Sequence, residues 1–285
     1  MPDRRSRYRY FQNVTSHVPQ PGPGVSGFLL YQLRELVAAI RFLTILPIPG
    51  RAHLFDTDEE EDRGFIVGSA YFPLVGLLLA ALLWLVLLLT GSLLPPLALA
   101  ALLVVVQTVL TGGLHLDGLM DSCDGLFGGS TPERKLEIMH DSRVGSFGVL
   151  GAGCVLLFRF AAFASMRVHL LALALFLVLP AARWAMILAV GLFPGARLSG
   201  LGSAFRRTVT GPRLLVAVVT ALVIVLIVGH LAGLLVWLVA TLVAVALGTL
   251  ITRQLGGLTG DTYGAIEETT EIVLLLLIIL LHSWF

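Results

Sequence analysis

Charge is what this chain has least of. Asp, Glu, Lys and Arg make up only 13% of its 285 residues, apolar types make up 57%, and mean hydropathy is +0.92. That balance excludes an ordinary soluble domain. Cysteine is equally sparse, with two in all. Cys154 falls inside an apolar run and Cys123 among acids, so the pair does not read as a structural disulfide. Acidic neighbours would also raise the Cys123 thiol pKa, which argues against a catalytic thiolate. There is no repeat of fixed period, no nucleotide P-loop, and nothing that calls for a nucleic-acid partner.

What is abundant is apolar sequence in runs long enough to cross a bilayer. Spans are expected near residues 65–89, 94–111, 146–165, 169–192, 213–230, 233–251 and 272–284. The fold class is therefore all-α: a polytopic integral membrane bundle of about seven transmembrane helices. A further apolar stretch, residues 28–47, is broken by Arg34, Glu35 and Arg41 and stopped by Pro47 and Pro49. It reads as an interfacial or half-inserted helix. Residues 1–27, rich in Arg, Pro, Gly and Tyr, read as a disordered tail touching anionic lipid, ahead of a single membrane-embedded catalytic domain at 28–285. The acidic run Asp56–Asp62 reads as a solvated loop.

Alternating the spans places residues 112–145, 194–212 and 252–271 on the same side as the N-terminal region. Outside the spans, every Lys and Arg then lies on that side except Arg167, and no acid lies on the other. By the positive-inside rule this side is the cytoplasm, which predicts a multi-pass protein of the cell (inner or plasma) membrane.

On that side stands TGGLHLDGLMDSCDGLFGG, residues 111–129. Asp117, Asp121 and Asp124 recur at i, i+4 and i+7, so a helix would present them on one face, where like charges repel. A divalent cation reverses the sign of that repulsion. Hard oxygen ligands, with Gly118 and Gly125 leaving room, suit Mg²⁺. His115, two residues before Asp117, is a candidate acid/base group or ligand. Downstream, Asp141 and Arg143 set a carboxylate beside a guanidinium, a pairing suited to a metal-bound phosphate. Residues 253–271 add Arg253, the backbone-accessible Gly256, Gly257 and Gly260, then Asp261, Glu267, Glu268 and Glu271. Two acid- and glycine-rich loops on one face point to a shared metal–diphosphate site, with Asp261 and Glu268 joining the three aspartates as ligands. Arg159 and Arg183 lie inside spans, where a charge needs a partner. They are assigned to neutralising an anionic substrate or a site carboxylate.

These strings, with LEIMHDSRVGSFGVL and LGGLTGDTYGAIEE, closely resemble the cobalamin synthase family, the adenosylcobinamide-GDP ribazoletransferases. RFLTILPIP and GSAYFPLVGLLL resemble its N-terminal blocks, so the likeness runs from about residue 33 to the end. The resemblance implies Mg²⁺ as cofactor, with adenosylcobinamide-GDP and α-ribazole, or its 5′-phosphate, as substrates. A ribazole hydroxyl would attack the phosphate joined to cobinamide, and GMP would leave. Whether the chain forms homo-oligomers or associates with other cobalamin-assembly enzymes stays open. Two other classes compete. CDP-alcohol phosphotransferases and membrane prenyltransferases also set aspartates around Mg²⁺ and a diphosphate, but their motifs differ in detail. An anion transporter would tend to keep its ionisable residues near the midplane and to show inverted repeats.

Overall fold

A computed structural model describes residues 24–48, 67–197 and 201–282 of the chain. Among these residues there are ten α-helices, and the only strand-like pairing is an isolated bridge between Gly195 and Leu258. In chain order the helices are α1 Gly24–Leu43, α2 Phe72–Thr90, α3 Pro96–Leu110, α4 Leu114–Gly128, α5 Pro132–Ile138, α6 Ser146–Ser165, α7 Val168–Leu192, α8 Leu201–Thr208, α9 Gly211–Leu255 and α10 Gly260–Leu280. Proline stands in the first turn of α2, α3, α5 and α9. A helix has no use for the missing N–H there.

α7 is the axis of the bundle. Every residue from Leu177 to Val190 is buried, against α2, α9 and α10. A helix that is apolar all round belongs inside. α2 comes closest at Gly76, where a Cβ would lie 2.7 Å from the Cα of Pro180. The outer helices turn large apolar side chains outward, Leu150 and Leu157 on α6 and Ile227 and Leu242 on α9 among them. Water would not tolerate that surface over so many helices, and lipid does. The protein is an all-α membrane protein.

α9 runs from Gly211 to Leu255 in two helical arms, broken at His230 with φ 49° and ψ −129°. Gly233 then lies against Val225, so close that a Cβ would sit 1.9 Å from the Val225 carbonyl oxygen. In a straight helix, residues eight apart are separated by about 12 Å along the axis. The chain therefore reverses at His230, and the arms 211–229 and 231–255 are the two expected spans at 213–230 and 233–251. The ends of both arms come back to one end of α7, Leu214 against Gly191 and Gly248 against Phe193.

Three expectations need correction. α3 has only 15 residues and bends by 88° into α4, so 94–111 is not a clean span. The last helix begins at Gly260 rather than 272 and carries its acids with it. By length and composition α2, α6, α7 and α9 can cross, α9 as two arms, and the bent α3–α4 pair adds one more if it is a single crossing. The helix expected at 28–47 is α1, already helical at Gly24. Its interrupting charge, Glu35, is buried and ion-paired to Arg213, where Tyr31 also bonds. Residues 1–23, the acidic run Asp56–Asp62 and the arginines of the tail lie outside the described residues.

The loops predicted to share one face do meet. Gly125 and Gly129 pack on α5, Lys135 Nζ bonds Gln254 at 2.5 Å, and Gly257 packs on residues 194–196. Gly202 of α8 touches Gly260.

Candidate active site

The site is built by a turn. Gly112 and Gly113 both adopt left-handed backbone, at φ 61° and 68°, where a side chain would be strained. This pair makes the sharp bend and sends α4 across the first turns of α10. The two backbones touch twice. A Cβ on Gly118 would lie 2.7 Å from the Asp261 carbonyl oxygen, and one on Gly264 would lie 2.9 Å from that of His115. Asp117 and Asp261 are thereby drawn together from opposite halves of the sequence. Asp117 is exposed and lines a cleft of about 630 Å³ shared with Arg41, Thr44, Thr111 and Met120. Asp261 is half-buried. Burial raises its pKa and the neighbouring Asp117 adds to that, while Arg197 and a bond from Thr259 act against it.

The expected five-acid metal set is not assembled in one place. α4 does run helically through Asp117, Asp121 and Asp124. Asp124, however, is buried and accepts hydrogen bonds from the backbone N–H groups of Gly145 and Gly148, each at 2.8 Å. It caps the start of α6, where the first N–H groups lack partners within their own helix. Gly145 and Gly148 are glycine for the same reason, since a Cβ on either would lie within 2.5 Å of an Asp124 carboxylate oxygen. Glu268, the fifth expected ligand, points into the bundle and bonds Arg159. Among the described residues no three His, Cys, Asp or Glu side chains converge closely enough to hold a metal ion.

Within the bundle lies a buried ionic cluster. Arg159 Nη2 contacts Glu268 at 2.5 Å and Glu271 at 2.9 Å. Arg183 Nη1 lies 2.6 Å from Glu267, an ion-pair contact without hydrogen-bond geometry, and donates to Glu271. Gln107 Nε2 donates to Glu271 at 2.7 Å, and His115 Nδ1 lies 3.0 Å from Glu267. Five helices meet in it: α3, α4, α6, α7 and α10. Arg159 and Arg183, expected to bind substrate, are instead enclosed by glutamates, which is the alternative of neutralising a carboxylate. His115 is 3% exposed and belongs to this cluster rather than to the open cleft.

The remaining predicted residues are more scattered. Asp141 and Arg143 engage each other, with Nη2 to Oδ2 at 2.6 Å and Arg143 N–H to Oδ1 at 3.1 Å. That guanidinium holds the Asp141 carboxyl near a pKa of about 2, far below its ordinary value. Arg253 is exposed at the end of α9. Gly256, at φ 78°, closes α9 by donating to Thr252 at 2.8 Å. Gly257 and Gly260 serve close backbone packing against residues 194–196 and Gly202. Two residues outside the predicted set emerge. Gln107 is a lone amide in an apolar run, and Arg197 donates to the Leu136 carbonyl at 2.5 Å beside the acid pair. In the sequence Gln107 carries no charge to mark it. Arg197 is one of several arginines on its side of the membrane.

Fold and site together define a membrane-embedded protein with a cleft at one end, lined by Asp117 and with Asp261 of a distant segment packed behind it. The chain belongs to the cobalamin-5-phosphate synthase family, whose profile matches residues 35–279. It is 42% identical to the adenosylcobinamide-GDP ribazoletransferase of Desulfitobacterium hafniense (strain Y51), over 86% of this chain and 96% of that one. It is 40% identical to the protein of that name from Roseiflexus sp. (strain RS-1), over 83% and 86% of the two chains. With that of Citrobacter koseri it shares 37% over 84% and 96%. No solved structure matches the chain.

Proposed function

We infer that this protein is an adenosylcobinamide-GDP ribazoletransferase. A hydroxyl of α-ribazole, or of its 5′-phosphate, attacks the phosphorus joined to cobinamide. The new P–O bond forms as the bond to the GMP leaving group breaks, and the hydroxyl proton passes to a base. The observation that carries the reading is the α4–α10 crossing, which packs Asp261 behind Asp117, and Asp117 lines a cleft large enough for part of a nucleotide.

Mg²⁺ fits this pair. Two carboxylates of one sign, brought close by the contact at Gly118, with Asp117 open to the cleft and Asp261 half-buried behind it, are hard donors that gain from a divalent ion. Asp117 and Asp261 would hold it, with Asp121 one turn along α4. When bound it would neutralise charge developing on the diphosphate. The donor set does not extend to Asp124 or Glu268, whose oxygens are engaged elsewhere. The charge pattern of the loops supports a cytoplasmic position for this end. The test is an assay of detergent-purified protein with GDP-cobinamide, α-ribazole and Mg²⁺. Cobalamin and GMP should appear in equal amounts. A chain that forms neither, yet releases CMP or pyrophosphate from other lipid-linked substrates, would belong to a different reaction.

A further inference from the structure

The segment 194–197 leads from α7 towards α8 and is pinned on two sides. Ala196 N–H donates to Leu258 and Leu258 N–H donates to Pro194, both at 2.8 Å. Gly257 lies so near that a Cβ would meet the Ala196 nitrogen at 2.6 Å. On the other side Arg197 Nη2 reaches the Leu136 carbonyl at the end of α5. The guanidinium is thus fixed where three loops join, and Leu258, its segment's partner, is three residues from Asp261. Among the described residues its single hydrogen bond uses Nη2, leaving the Nε and Nη1 donors available.

Several other arginines near this end are engaged, whereas Arg253 is exposed at the end of α9. Arg143 is taken by Asp141, Arg206 by the Phe193 carbonyl, Arg213 by Glu35, and Arg159 and Arg183 by the buried glutamates. We propose that Arg197 binds the diphosphate of the nucleotide-linked substrate, its guanidinium fork taking non-bridging oxygens beside the Asp117–Asp261 pair. This rests on the ribazoletransferase reading. Chemistry favours it on two counts. A divalent ion between two carboxylates has no positive charge to spare, so a diphosphate needs a further cation. A planar guanidinium held by its neighbours offers its remaining N–H donors with little entropy left to lose.

The experiment measures equilibrium binding of radiolabelled GDP with Mg²⁺ in detergent, alongside KM for each substrate. Arg197→Gln should weaken GDP by about 10-fold or more, the size of a lost charged hydrogen bond. It should raise KM for GDP-cobinamide in step and leave KM for α-ribazole unchanged, with Arg197→Lys falling between. Lys135→Ala loosens α5 at its contact with Gln254 without touching the guanidinium, and should bind GDP as the parent does. GDP affinity unchanged in Arg197→Gln, or lost equally in Lys135→Ala, overturns the assignment. A parent protein that binds GDP through Arg197 yet makes no cobalamin supports the anion site and refutes the reaction.

Discussion

α10 carries its acids in two opposite settings. Asp261, in its first turn, packs across a glycine contact behind Asp117, which opens to the cleft. Glu267, Glu268 and Glu271, two to three turns deeper, are buried and ringed by Arg159, Arg183, His115 and Gln107. The three deep acids have two guanidiniums among them, so most of their counter-charge lies within the protein. The shallow pair has two negative charges with Arg197 beside Asp261, and its outer member Asp117 is open to something from outside. Carboxylates of one helix thus divide by whether the fold itself balances them, and the unbalanced ones are where a ligand is expected.

The comparison breaks most readily at the deep end. Arg183→Met removes one guanidinium and leaves Glu267 and Glu271 buried without it. Removing one partner of a buried pair costs about 3–5 kcal/mol, so the variant should melt far below the parent in detergent. Replacing Glu271 by Gln in addition should recover part of that loss, because fewer buried charges remain unpaired. A single variant as stable as the parent would mean the cluster is not what joins the five helices.

The shallow end should behave in the reverse way. Asp117→Asn and Asp261→Asn should each lower kcat by about 10²-fold, the scale of a lost electrostatic stabiliser. Neither should lower the melting temperature. The sign follows from burial. The Asp261 carboxyl has a raised pKa, so ionisation disfavours the folded state as pH rises through that value. Asn removes this penalty at neutral pH. The double variant should be scarcely worse than the poorer single one, as for residues acting as a unit. Losses that multiply would separate the two acids into independent roles.

Asp124 lies between these settings, an acid of the exposed motif used for structure. Asp124→Ala removes an acceptor shared by two N–H groups at the start of α6, and a lost cap costs about 0.5–2 kcal/mol. Thermal melting should fall accordingly, with metal affinity unchanged. A variant of parental stability that has lost Mg²⁺ binding would return Asp124 to the ligand set.

Much of this was legible in the sequence, and the reason differs by residue. Apolar length alone marks α2, α6, α7 and both arms of α9, because lipid rewards it over whole helices. The helical spacing of Asp117, Asp121 and Asp124 was equally plain. Which of them faces the cleft was not, since Asp124 is claimed by Gly145 and Gly148, 21 and 24 residues away. The early start of α10 was hidden because Glu267, Glu268 and Glu271 look like loop acids until Arg159 and Arg183, 84 to 112 residues distant, are seen to pair with them. Like-charged neighbours in sequence say that a partner is needed. They do not say whether it is a metal or an arginine.

The smallest expected effect tests where the cleft's influence ends. Asp141 and Arg143 are paired to each other on the surface turn before α6, and the pair accounts for the depressed Asp141 carboxyl at a pKa of about 2 against an ordinary 3.8. A depressed carboxyl contributes order that is complete above its ordinary value and is lost only as pH falls through the lower one. Between pH 5 and 8 Asp141 therefore stays ionised and adds no slope to stability or rate. Asp141→Asn should leave the melting temperature unchanged, because the side chain is exposed and its partner can turn to water. It should also leave the shape of the pH–rate profile unchanged over that range. A loss of kcat of about 10-fold or more at constant stability is the scale of general acid–base or phosphate contacts. That result would place this turn over the cleft during turnover, and would restore to Asp141 and Arg143 the catalytic role that their sequence suggests.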